Sequence, residues 1–278
     1  MLRLNLIGWP FEMERQEIFV VKRRIVGSMF VSVVLLGAQE GPVPSLPRPL
    51  VTTAAALTEP GWMELELGAQ RLEFRDGAWT LGTPVQGNLG LTRWFDVRVA
   101  WGGVSHRDGG SERDETNGGG DLHIGGQALF WNREQHGLDL GLVYWHKLPR
   151  ASAAKGLGTG RPDDHVVFTG TAIRGRWAFD VNAGVLFLGR PEGRGRVRQG
   201  VASAALTCAL DERWNLTLDT YALAATEGNP RVVSSILAVS WVLREGLVLD
   251  AALEKGLTSD APRWGVNLGL VWRLGRLW

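Results

Sequence analysis

Trp177-Ala178-Phe179-Asp180-Val181-Asn182-Ala183-Gly184-Val185-Leu186-Phe187 decides the fold. Trp177, Phe179, Val181, Ala183, Val185 and Phe187 are apolar, and Asp180, Asn182 and Gly184 lie between them. Such period-two alternation makes a strand with two unlike faces, one fit for hydrocarbon and one carrying carboxylate, amide and glycine. Leu138, Leu140, Leu142 and Tyr144 repeat the pattern, as do Val266, Leu268, Leu270 and Trp272. Working outward, strands are predicted over 62–74, 79–91, 95–103, 121–131, 138–146, 164–174, 176–188, 199–210, 213–224, 231–243, 246–256 and 263–274. Apolar parity changes within the first block, from Met63, Leu65, Leu67 and Ala69 to Leu72 and Phe74, which predicts a bulge near Gln70-Arg71. Blocks 199–210 and 231–243 alternate poorly, because Ala, Ser and Val occupy both faces.

The connections sharpen this reading. Those at 92–94, 132–137, 175, 211–212 and 244–245 are brief, whereas 104–120, 147–163 and 189–198 are long and polar. Short turns on one side and long loops on the other are the habit of bacterial outer-membrane barrels. A soluble β-sandwich, the blander all-β alternative, gives no such parity. The expectation is an all-β, single-domain, transmembrane antiparallel up-and-down β-barrel of about twelve strands, a number between packed eight-stranded barrels and open porins.

Composition agrees. Lys+Arg 30 against Asp+Glu 29 gives a net charge of +1, which argues against nucleic acid as a partner. The 13 tryptophans suit membrane interfaces and the 37 glycines suit turns and crowded interior positions. Cys208 is the only cysteine, so no intrachain disulfide forms. Lys22, Arg23 and Arg24 precede an apolar run from Ile25 to Gly37, which reads as a secretory signal ending near Ala38. Met1 to Phe19 is a long preface for such a signal and points to an over-extended start, so 1–38 is assigned as signal and preface. Residues 39–60 hold Pro42, Pro44, Pro47, Pro49 and Pro60 and read as an extended periplasmic lead; 61–278 form the barrel.

The inward face is the candidate site. Projecting the alternation places Arg98, His123, Gln127, Asp139, Asp180, Asn182, Asp219, Asp250, Glu254, Asn267 and Arg273 in the lumen, with Glu64, Glu66, Gln86 and Asn88. Polar residues of both signs can line a wet pore without strong ion selectivity, or fill the interior with salt bridges. Trp131 and Trp145 share the lumen parity and are the aromatic candidates for solute contact. Trp101, Phe130, Tyr144, Trp177, Trp214, Trp241, Trp264 and Trp272 fit an interfacial girdle.

The acidic loop 104–120, with Asp108, Glu112, Asp114 and Glu115 and with Asp121 just after it, lacks the ligand spacing of an EF-hand and reads as a solvated loop. Arg190, Arg194, Arg196 and Arg198 in 189–198 read as an ordinary solvated loop, with contact to anionic lipopolysaccharide as the alternative. No serine accompanies His123 or His165 in a hydrolase arrangement, so no enzyme, cofactor or metal is predicted.

Several stretches resemble one family. Pro60-Gly61-Trp62-Met63-Glu64-Leu65-Glu66-Leu67-Gly68, Gly90-Leu91-Thr92-Arg93-Trp94-Phe95-Asp96-Val97-Arg98-Val99, Gly119-Gly120-Asp121-Leu122-His123-Ile124-Gly125 and the tail from Gly256 to Leu274 are similar to the outer-membrane family named for the MetA pathway of phenol degradation. The resemblance implies a barrel and passage of small hydrophobic or aromatic solutes across the outer membrane. It also implies an aromatic assembly signal on the last strand, Trp272 or Trp278, for the outer-membrane assembly machinery. The alternative is a structural or adhesive barrel with a plugged lumen and partner-binding outer loops.

Overall fold

A computed structural model describes residues 50–108, 116–190 and 195–278. The signal and preface 1–38, the lead residues 39–49, and Glu112, Asp114, Glu115 and Arg194 lie outside the described residues. The strands are β1 (Trp62–Glu73), β2 (Trp79–Gly82), β3 (Val85–Thr92), β4 (Phe95–Trp101), β5 (Val104–Asp108), β6 (Thr116–Gly119), β7 (Leu122–Trp131), β8 (Asp139–Leu148), β9 (Asp163–Arg174), β10 (Trp177–Gly189), β11 (Arg196–Ala209), β12 (Trp214–Leu223), β13 (Val232–Arg244), β14 (Leu247–Gly256) and β15 (Trp264–Arg276). Each pairs antiparallel with its neighbours, and β15 pairs along all of β1, from Trp62↔Arg276 to Glu73↔Trp264. The sheet is therefore a closed barrel of 12 strands, with no open edge to satisfy in lipid. Among the described residues no helix is long and apolar enough to cross a membrane.

Two strands run further than the sequence reading allowed, through β5 and β6, and the single strand read over 79–91 is divided into β2 and β3. β2, β5 and β6 continue β3, β4 and β7 beyond a shared break at Thr83-Pro84, Gly102-Gly103 and Gly120-Asp121. Pro84 has no N–H to give the ladder. Gly103 sits at φ +70°, and a Cβ there would meet the Thr83 carbonyl oxygen at 1.7 Å. A Cβ on Gly120 would come within 2.7 Å of the Gly102 Cα. Only glycine lets the chains cross so closely. Part of 104–120, expected as loop, is thus a two-stranded extension of the wall. The bulge expected near Gln70-Arg71 is also absent: β1 keeps one register with β15 from Glu64 to Glu73, and its irregularity lies between Met63 and Glu64.

The two faces separate as alternation requires. Phe168, Phe179, Leu218, Leu237, Leu253 and Leu268 stand about half exposed or more on the outside, an apolar belt that only hydrocarbon makes favourable. Trp101, Trp131, Tyr144, Trp177, Trp214 and Trp272 are likewise outward and exposed. The opposite parity is buried and polar. In β13 the inward residues include Ile236 and Ala238, which pack with Ala252, Tyr221 and Leu50, so the poor alternation there reflects an apolar patch inside the bore. A short helix, α1 (Arg133–His136), closes the β7–β8 turn; the Asn132 side chain accepts from the Glu134 N–H and Gly137 caps its end at positive φ.

Candidate functional site

The bore is crossed by the chain itself. Residues 50–58, read from sequence as part of an extended periplasmic lead, lie in the lumen and are hydrogen-bonded across it. The Val51 and Thr52 N–H groups donate to Asp219 Oδ2 at 2.8 and 3.0 Å, and the Thr52 hydroxyl donates to Oδ1 at 2.5 Å. Asn182 clasps Thr53 from both sides, accepting at 2.7 Å and donating at 2.7 Å. Ala55 N–H donates to Thr171 Oγ1 at 2.8 Å, and Gln127 Nε2 donates to the Ala54 carbonyl at 2.9 Å. Thr58 N–H reaches Asp96 at 3.2 Å, and its hydroxyl reaches Glu64 at 3.3 Å. An extended segment has no internal partners for its backbone groups, so a bore lined with carboxylates and amides supplies them.

Two buried ion pairs fix the wall beneath it. Arg98 binds Asp96 through Nε and Nη2, both at 2.8 Å, and Arg273 binds Glu64 through Nη2 at 2.7 Å and Nε at 3.1 Å. The Glu64 and Asp96 carboxylates are fully buried. Nearby, Glu66 accepts from Gln86 at 3.0 Å and Asn88 at 2.5 Å. Glu254 accepts from the Tyr221 hydroxyl at 2.7 Å, and Asp180 from Thr171 at 2.5 Å. At the mouth near β1, burial pushes the Glu59 carboxyl above its ordinary value; the Glu64 charge adds to this and Arg273 and Arg276 oppose it.

Above the segment, toward the long loops, a cavity of about 340 Å³ remains. Leu50 and Thr53 form its floor, and Glu66, Gln86, Arg98, His123 and Trp145 its sides. Trp145 lies over Gly125, where a Cβ would come within 2.8 Å of the indole, and stands edge-on to His123 at 6.4 Å. His165 is 6.2 Å from His123. Higher still, Lys147 pairs with Asp163 and lies 3.7 Å from Asp121. The Asp121 carboxylate accepts the Arg150 and Ala151 N–H groups, both at 2.8 Å, which ties the 149–162 loop to the rim.

Most of the residues assigned to the lumen from sequence are inside. Arg98, His123 and Trp145 meet at the cavity; Gln127, Asn182 and Asp219 hold the segment; Asp139, Asp180, Asp250, Glu254, Asn267 and Arg273 are buried within the wall's inner face without lining the cavity. Trp131 is the exception. A register shift between Leu129 and Trp131 sets it opposite outward Leu140, where it is 42% exposed and stacks on His136. Asp96, Lys147 and Asp163 were missed. Asp96 has the parity of Arg98, and Lys147 that of Trp145 in a strand that runs to Leu148.

A closed wall, an apolar exterior and a polar interior define a transmembrane β-barrel of the outer-membrane type, its lower bore filled and its upper bore hollow. The chain belongs to the family described as "Putative MetA-pathway of phenol degradation", whose model matches residues 48–274. An outer membrane channel from Pseudomonas putida F1 superposes with a TM-score of 0.64 at 14% identity, over 83% of this chain and 100% of that one. A KdgM porin in complex with disordered oligogalacturonate (TM-score 0.52, 6% identity, 76% and 99% covered) and a NanC porin (0.52, 5%, 76% and 100%) share the architecture. At such identities the likeness is one of fold. Comparison with curated proteins finds no match.

Proposed function

We propose that this barrel is an outer-membrane channel that takes up small solutes with an apolar or aromatic body by passive passage. The supporting observation is the 340 Å³ cavity, whose walls set the Trp145 and His123 rings beside the Arg98, Gln86 and Glu66 polar groups, above a narrow floor made by residues 50–58. Such a mixture, with ring and aliphatic surface beside fixed donors and acceptors in comparable measure, suits a compact solute with an apolar body and a polar end. The channel fold of the neighbours and the phenol-degradation family name point the same way. Arg98 spends Nε and Nη2 on Asp96, and among the described residues Nη1 makes no hydrogen bond, which leaves that amino group for a solute.

The plugged, structural reading draws on the same segment, since 50–58 fills the bore at mid-height. Liposome swelling separates the two. Full-length protein is expected to admit small aromatic acids or alcohols and to exclude sugars of greater girth. A variant lacking residues 50–58 is expected to admit both. Swelling by neither protein would establish a closed structural barrel and overturn the transport reading.

A further inference from the structure

The lipid-facing side of the wall carries a charged rung that transport does not use. Cross-strand register sets His146 beside Asp164, Asp164 beside Phe187, and Phe187 beside Arg198, all outward, with Arg196 one step above. Phe187 lies ten residues along β10 from Trp177. That is about 33 Å of strand and about 25 Å of height once tilted. The distance matches the apolar band, so with Trp177 at the short-turn interface this rung stands at the headgroup level of the long-loop side, the outer leaflet.

Its hydrogen bonding is unbalanced. The Asp164 carboxylate accepts from the Tyr144 hydroxyl at 2.6 Å and from His146 Nδ1 at 2.7 Å, and is ion-paired with Arg196. Three donors occupy this one acceptor group. Arg198 is exposed; its guanidinium lies 5.9 Å from the Phe187 centroid and has no polar partner among the described residues. A guanidinium offers five N–H donors in a planar fork. At the edge of hydrocarbon, donors left over by Arg196 and Arg198 call for an external anion with several oxygens, and phosphate fits that fork.

We infer that Arg196 and Arg198, braced by Asp164 and Phe187, bind a lipid A phosphate of lipopolysaccharide against the outer wall of the barrel. The inference is independent of the transport reading, because the rung faces away from the bore. Asp164 acts as a positioning group: it holds Arg196 at the rim while the Arg198 guanidinium lies over Phe187.

Binding to the full-length barrel, delipidated in detergent, is measured by native mass spectrometry with bisphosphorylated lipid A, dephosphorylated lipid A, phosphatidylglycerol and inorganic phosphate as probes. Bisphosphorylated lipid A is expected to bind at least about tenfold more tightly than the other three. Arg198→Glu is expected to remove that preference, while Arg174→Glu at the opposite interface leaves it intact. Should Arg198→Glu fail to give the heat-modifiable folded band, Arg198→Gln is measured instead, with at least a severalfold loss expected. Equal binding of dephosphorylated lipid A, phosphatidylglycerol or free phosphate overturns the inference, as does full binding by the folded Arg198 variant.

Discussion

Truncating Arg273 to Ala would strand the fully buried Glu64 carboxylate without its guanidinium. Leaving one half of a buried pair costs about 3–5 kcal/mol. We expect Arg273→Ala to lower the free energy of unfolding, measured by urea titration in detergent, by that order, and Glu64→Met with Arg273→Met to recover most of it. A double variant as weak as the single one would mean that the pair is not what holds this corner. Glu59 gives a pH test. Its carboxyl is raised above 4.5 by burial, so the folded state is penalised wherever the unfolded chain's Glu59 is ionised. Glu59→Gln should therefore stabilise the barrel at neutral pH, and the advantage should shrink as pH falls below the raised value and vanish below 4.5. An advantage that grows toward acid contradicts the assignment. Residue positions such as Asp219 and Asn182 were legible from parity alone, because a strand's two faces follow from period two. Their partners were not, since Asp219 and Thr52 are 167 positions apart and no local pattern links them.

At the scale of elements, the 50–58 segment behaves as a strap tied by the wall. Hydrogen bonds to a charged acceptor contribute about 1.5–3 kcal/mol each, so Asp219→Ala should free its outer half. Limited proteolysis in detergent is expected to cut near Val51 in Asp219→Ala and to spare the parent protein; equal resistance would show that Asp219 is dispensable. The kink at Gly102, Gly103 and Gly120 makes a second test. Gly120→Val forces a side chain onto the Gly102 backbone and should prevent assembly of a heat-modifiable barrel, whereas Gly77→Val, at a site with open space, should cost little more than its positive φ requires. The order and approximate positions of the twelve wall strands could be read from alternation and turn length, but the extension through β5 and β6 could not. The strap could not, because proline-rich sequence says extended and nothing about where the extension runs. The shift at Trp131 was hidden for a similar reason: one extra residue inverts a face without any compositional mark.

The whole molecule is a cylinder whose outside is solved by lipid and whose inside is solved by its own N-terminal chain. Far-ultraviolet circular dichroism should show β structure, and boiling should retard the band in electrophoresis, as closed barrels require. In the channel we propose, passage depends on how far the strap narrows the bore below the Arg98–His123–Trp145 cavity. Single-channel recording in a planar bilayer tests this most directly. The full-length protein is expected to give small, discrete conductance steps, and the variant lacking 50–58 steps several times larger. Indistinguishable steps from the two proteins would contradict a channel constricted by its own leading segment.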